Sequence, residues 1–147
     1  MHKKIVPITS DHAAVNLKNK LVEYINSLGY DVKDLGPSDE TQKVSYSLQG
    51  HNLANYMKDN NYDFGIGLCG TGLGISYALN RHQGIRAARV TSTEDARLAK
   101  QHNNANVLVL GGRQISFEEA KKIIDEYIKT EYEGGRHQQR IDDIENF

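Results

Sequence analysis

"DFGIGLCGTGLGISYALNR", residues 63–81, decides the fold. Its first part, "DFGIGL" (63–68), reads as a short apolar strand, and "ISYALNR" (75–81) reads as a helix. Between them stands a loop made almost wholly of glycine. Strand, tight turn and helix in one run form the unit from which parallel sheets are built. The loop also carries Cys69, the only cysteine in the chain. A cysteine used for packing belongs among apolar side chains. A glycine loop offers it none, so the thiol is expected to serve chemistry.

The same unit recurs on both sides. Upstream, "KKIVPI" (3–8) is a strand, followed by the turn "TSDH". Residues 14–28 form a helix with Leu17, Leu21, Ile25 and Leu28 on one face, and Gly29 ends it. "YDVKDL" (30–35) is a second strand, closed by "GPSDE". Residues 46–59 make a weaker helix whose face is Leu48, Leu53, Tyr56 and Met57. Downstream, "GIRAARV" (84–90) is a strand, and "TSTEDARLAKQHNN" is a helix capped by Ser92 or Thr93. "NVLVLGG" (106–112) is the most apolar strand and is expected at the centre of the sheet. Ser116 and Glu119 spell a capping box, and Ala120, Ile123, Ile124, Tyr127 and Ile128 give the next helix its apolar face. After a glycine break, the tail ends in a short helix. Pro7 interrupts the first strand, which implies an irregular segment or an unpaired amide there. The alternation predicts one α/β domain over residues 1–147, with a mostly parallel sheet of about five strands and helices on both faces.

The totals narrow the function. A formal net charge of -1 over 147 residues shows no basic excess, which argues against a nucleic-acid binder. No apolar run approaches the roughly 20 residues of a membrane span. The N-terminus lacks the apolar core of a signal peptide, so the cytoplasm is the expected compartment, where a lone thiol stays reduced.

In open parallel sheets, ligands sit beyond the carboxyl ends of the strands. The chemically loaded stretches fall there: "SDH", "CGTGLG", "RVTSTED" and "GGR". Gly65, Gly67 and Gly70 match G-x-G-x-x-G, and Gly67 to Gly72 match it more loosely, but that fingerprint belongs in the first strand–helix turn, which here is "TSDHAA". The P-loop lysine is also missing, so a nucleotide is not favoured. Glycines also permit a tight turn, which explains one or two of them. Backbone amides at a helix start can instead hold an oxyanion and favour a thiolate. Cys69 would then be a nucleophile or a general base, and Thr71 a donor to a developing negative oxygen. Asp11 and His12 could form a metal pair, but no further ligand spacing supports one, and Asp11 serves equally as a helix cap. His102 ends a helix, where the dipole favours a cation. Arg113 follows "GG" at a strand end. Arg136 and Arg140 share a helical face, either as a solvated basic surface or as a phosphate clamp.

Taken together, "SDHAAVNLK", "GLCGTGLGIS", "GIRAA", "QHNNANVLVLGGR" and "YEGGRHQQR" resemble the type B ribose-5-phosphate isomerases, whose relatives include the galactose-6-phosphate isomerases. The resemblance runs in order along nearly the whole chain. It implies a three-layer Rossmann-like sandwich and a homodimer, or a tetramer, with active sites between subunits and with no metal or other cofactor. It implies that Cys69 moves a proton between carbons 1 and 2 of an open sugar phosphate. Thr71 and the amides of Gly70, Gly72 and Gly74 would steady the enediolate. His102 would open the sugar ring with help from Asp11, and Tyr46 would line the sugar site. His12, Arg113, Arg136 and Arg140 would hold the phosphate, and Asn103 would touch the substrate. His102, Asn103, Arg136 and Arg140 would come from the neighbouring subunit, with the tail (about 131–147) reaching across.

The chain departs from the family at Ser45-Tyr46-Ser47, where relatives often read Asp-Tyr-Pro, and at Thr9 and Ala14, where glycine is usual. These changes bear on the sugar more than on the reaction. A hexose 6-phosphate such as allose or galactose 6-phosphate, or a binding protein without catalysis, is the alternative to ribose 5-phosphate. The complete cysteine loop and arginine tail favour a self-sufficient homodimer over a pair of unlike subunits.

Overall fold

The computed structural model describes residues 4–147; the expected strand start at Lys3 lies outside them. The strands are β1 (Ile5–Ser10), β2 (Asp31–Asp34), β3 (Gly65–Cys69), β4 (Ala87–Arg89) and β5 (Val107–Gly111). The helices are α1 (Val15–Ser27), α2 (Tyr46–Asp59), α3 (Leu73–Asn80), α4 (Thr93–Asn103), α5 (Phe117–Lys129) and α6 (Arg136–Glu145), with a single 3-10 turn at His12–Ala14. All pairings are parallel, in the order β2-β1-β3-β5-β4.

Side chains alternate across the sheet, as the pleat requires. Val6, Ile8, Ile66, Leu68, Leu108 and Leu110 face one core, which is closed by α1, α4 and α5. Val107 and Val109 face the other, closed by α2 and α3. This is the expected three-layer α/β sandwich. Burying each of Ile123 and Ile124 on α5 contributes about 1.5–3 kcal/mol, and the Ser116–Glu119 capping box fixes where that helix starts. Ser92 is the N-cap of α4 and accepts from the Asp95 amide.

Three expectations change. β5 is interior and wholly buried, but the middle of the sheet is β3. Gly65 and Gly67 lie in β3, as the strand reading of 63–68 places them. Leu28 caps α1 and is 43% exposed, because the helix stops one residue earlier. On α2, Leu48 is exposed, while Gly50 and Ala54 are buried. A Cβ on Gly50 would stand 2.7 Å from Ala78 of α3, so small residues bring the two helices together where hydrophobic periodicity gives no signal. Pro7 pairs with Lys33, and the ladder to β3 begins only at Ile8, so its missing amide falls just before that ladder.

Two polar anchors hold the loop after β2 beside the carboxyl edge. Thr9 is fully buried; its hydroxyl donates to the Gly36 carbonyl and accepts from Gln49 of α2. It therefore braces the loop. Lys18 is also fully buried, with its ammonium 2.8 Å from both carboxylate oxygens of Asp34 and 2.9 Å from the Asn19 side chain. Removing one partner of a buried pair leaves the other charge uncompensated. Lys18 is fully buried but the Asp34 side chain is 37% exposed, so the pair is buried on one side only, and Asp34→Ala is expected to lower stability by about 1–3 kcal/mol. Lys18→Met, which removes the buried charge itself, should lower it distinctly less. Urea unfolding of both variants checks the order; equal losses would contradict it.

Candidate active site

Cys69 is the last residue of β3, and its side chain points to the α2–α3 face of the sheet. The thiol is 3% exposed and packs in the cluster of Leu53, Ile75 and Leu79. This corrects the expectation of a sulfur without apolar neighbours. The glycines surround its backbone, but the strand's alternation turns the side chain into the second core. The sulfur keeps one polar contact: the Gly72 amide donates to Sγ at 3.2 Å. Gly72 is the N-cap of α3 at φ +82, a left-handed conformation that favours glycine. That amide is therefore directed to the sulfur, whereas the sequence reading assigned it to an enediolate. Thr71 is exposed, and its Oγ1 accepts from the Leu73 amide at 3.2 Å, which leaves its hydroxyl hydrogen free to turn outward.

Three side chains cover the loop. Arg113 lies beside Gly70, Arg89 beside Gly72, and the Tyr46 ring over Gly74. A Cβ on Gly74 would come within 2.5 Å or less of ring carbons of Tyr46, so the aromatic ring can sit on the start of α3 only because residue 74 has no side chain. Neighbouring loops are tied in through the backbone: the Asp11 amide donates to Leu68, the Gly112 amide to Cys69 and the Arg113 amide to Gly70. The Asp11 carboxylate accepts from the Ala13 amide at 3.0 Å, capping the 3-10 turn. His12 Nδ1 donates to the Val44 carbonyl at 3.0 Å, since a carbonyl can only accept, and this orients the ring. His12, Arg113 and Lys43 line an open cleft of about 570 Å³ together with Ala13, Glu40 and Thr41. Two cations and a histidine around a polar cleft suit a phosphate.

The remaining expected residues stand elsewhere. In a parallel sheet each helix carries the chain back to the amino edge of the strands. His102 and Asn103 close α4, so they lie at the opposite edge from Cys69. The five residues of β5 alone span about 16 Å at 3.3 Å per residue. Arg136 and Arg140 are on α6, which packs on α4 and is pinned to the start of β4 by the Glu145–Arg86 ion pair at 2.7 Å. Both arginines are exposed. The structure thus brings Cys69, Thr71, Gly70, Gly72, Gly74, Asp11, His12, Tyr46 and Arg113 to one end, and His102, Asn103, Arg136 and Arg140 to the other.

Residues missed in the sequence join each group. Glu133 stands 3.9 Å from both His102 and His137, whose rings stack at 4.5 Å. His137 is buried and its Nε2 has no hydrogen-bond partner among the described residues. Burial, helped by the charges of Arg136 and His102, holds its pKa below the ordinary histidine range. The polar atoms of His102, Glu133 and His137 lie within 4.8 Å of one another, and Arg136 stands 3.3 Å from the Glu133 carboxylate. Adjacency to "GGRH" was the only sequence signal of this cluster. Among the described residues, no helix is long and apolar enough to cross a membrane.

Residues 6–144 match the family model described as Ribose/Galactose Isomerase. A probable ribose-5-phosphate isomerase B of Mycoplasma genitalium is 42% identical over 138 residues, covering 93% of this chain and 91% of that protein. A crystal structure of a ribose 5-phosphate isomerase from Thermotoga maritima superposes with a TM-score of 0.95 at 45% identity, covering 99% of this chain and 100% of the other. The Mycoplasma genitalium ribose-5-phosphate isomerase B with bound ribulose-5-phosphate superposes with a TM-score of 0.92 at 39% identity, covering 99% and 97%. With the parallel sheet and the cysteine–glycine turn already in place, these matches show that the chain belongs to the Ribose/Galactose Isomerase family.

Proposed function

We propose that the protein is an aldose–ketose isomerase that interconverts ribose 5-phosphate and ribulose 5-phosphate, with Cys69 as the base. The observation that carries this reading is the sulfur at the end of β3, held by the Gly72 amide, in a loop whose Gly70 lies against Arg113 of the polar cleft. A family relative that holds ribulose-5-phosphate supports the choice of sugar.

The thiolate takes the proton from carbon 2 of the open aldose. The C–H electron pair becomes the enediolate double bond, and the carbonyl oxygen takes the negative charge. The proton of the carbon-2 hydroxyl passes to oxygen 1 of the enediolate, the thiol returns its own proton to carbon 1, and the ketose forms at carbon 2 with no net gain or loss of hydrogen. The hydroxyl of Thr71 and the amides of Gly70 and Gly74 face the developing oxyanion. Losing one such donor typically costs about 3 kcal/mol of barrier. His12 and Arg113 hold the phosphate, whose binding energy positions the reacting carbons.

Ring opening falls to His102. His102, Asn103, Arg136 and Arg140 stand at the far edge of the same chain, which supports a reading in which a second copy presents them. In that reading the assembly is a homodimer with shared sites, and the tail from about residue 131 crosses to the partner. The compartment is the cytoplasm, where a lone thiol stays reduced. The reading is tested by offering a panel of pentose and hexose phosphates and following interconversion. Turnover of ribose 5-phosphate supports it. Turnover of six-carbon sugars alone assigns allose or galactose 6-phosphate instead, and binding without turnover assigns a catalytically silent relative.

A further inference from the structure

Arg89 ends β4, the edge strand beside β5, and the chemistry above does not use it. Its Nε donates to the Thr71 carbonyl at 3.1 Å, and a terminal nitrogen donates to Gln114 Oε1 at 2.7 Å. Thr71 C=O and Gly72 N–H are the two ends of one planar peptide unit. That N–H is the donor to Cys69 Sγ at 3.2 Å. Guanidinium, peptide and sulfur therefore stand in series.

A cation bonded to a carbonyl polarises the amide and strengthens donation from its N–H. Arginine keeps its charge at every working pH. Both acceptors of Arg89 are neutral oxygens, so these contacts direct its charge at the loop. The geometry is tightly set. A Cβ on Gly72 would come 3.2 Å from Arg89 Cγ, and one on Gly111 would come 2.8 Å from the Thr71 oxygen. The other ionisable groups around the loop are Arg113 beside Gly70, Tyr46 over Gly74, and Asp11 at the end of β1, whose carboxylate is turned to its own Ala13 amide.

We propose that Arg89 is a positioning residue that fixes the Thr71–Gly72 peptide and, through that peptide, favours the thiolate of Cys69. This deepens the reading of Cys69 as the base, but its test does not depend on turnover. Cys69 is the only thiol, so thiolate absorbance referenced to Cys69→Ser, and the rate of alkylation by iodoacetamide, report on it alone. In Arg89→Met the absorbance profile is expected to move to higher pH, and alkylation at neutral pH to slow about three- to ten-fold. Arg89→Lys, which keeps a cation, should stay close to the parent. Should Arg89→Met fail to fold by circular dichroism, Arg89→Gln, a neutral donor, is read in the same way. An unchanged profile in the neutral variant overturns the proposal. So does faster alkylation, which would mean that Arg89 only keeps the loop closed over a buried thiol. A shifted profile in a protein that isomerises no sugar phosphate upholds the role of Arg89 and defeats the proposed function. With turnover present, kcat should fall while KM for the sugar phosphate stays the same.

Discussion

Cys69→Ala is expected to abolish isomerisation and the exchange of the sugar's carbon-bound hydrogen with deuterated water, while leaving sugar-phosphate binding largely intact. A positioned base contributes about 10²–10⁴-fold, and no other described side chain near the loop offers a replacement at the sulfur's position. The binding groups are carried by other elements: His12 by the turn after β1, and Arg113 by the turn after β5. The fold should survive, because removing one sulfur from the α2–α3 core resembles deletion of a methyl group, about 1 kcal/mol. Exchange measured by NMR and binding measured by calorimetry separate the two effects. Continued exchange at the parental rate would remove Cys69 from the reaction and leave its 3% exposure as plain core packing.

Mixing Cys69→Ala with His102→Ala protein, each inactive alone, is expected to restore activity. In a two-fold symmetric dimer every site pairs one chain's Cys69 with the other chain's His102. A mixed dimer then holds one site with both substitutions and one with neither. Equal amounts assorting at random give half mixed dimers, and so about one quarter of the parental activity. If both residues served a site within one chain, no subunit exchange could recover anything. Native mass spectrometry showing mixed dimers without activity would contradict the shared site.

Much of this was legible in the sequence, because the relevant signals are local. The capping box at Ser116, the face of α5 and the strand–turn–helix at Cys69 are each written within a few residues. The burial of Cys69 was not legible, because it follows from where β3 ends and which way its last side chain points. The close contact of α2 and α3 escaped for another reason: Gly50 and Ala54 make an interface by being small. Nothing in the sequence marks Lys18 as buried, since its partner Asp34 lies on another element. Arg89 was visible only as part of a polar stretch; its role depends on reaching the Thr71 carbonyl from a neighbouring strand. The separation of His102 from Cys69 follows from topology alone, once the sheet is known to be parallel.

A crystal structure with ribulose 5-phosphate bound tests the shared cysteine site most directly. The account predicts Cys69 Sγ within about 3–3.5 Å of the reacting carbons, the distance of a near-attack arrangement. It also predicts a phosphate held by His12 and Arg113 of one chain and by Arg136 and Arg140 of its partner. A sugar bound away from the sulfur, or a phosphate enclosed by one chain alone, would contradict it.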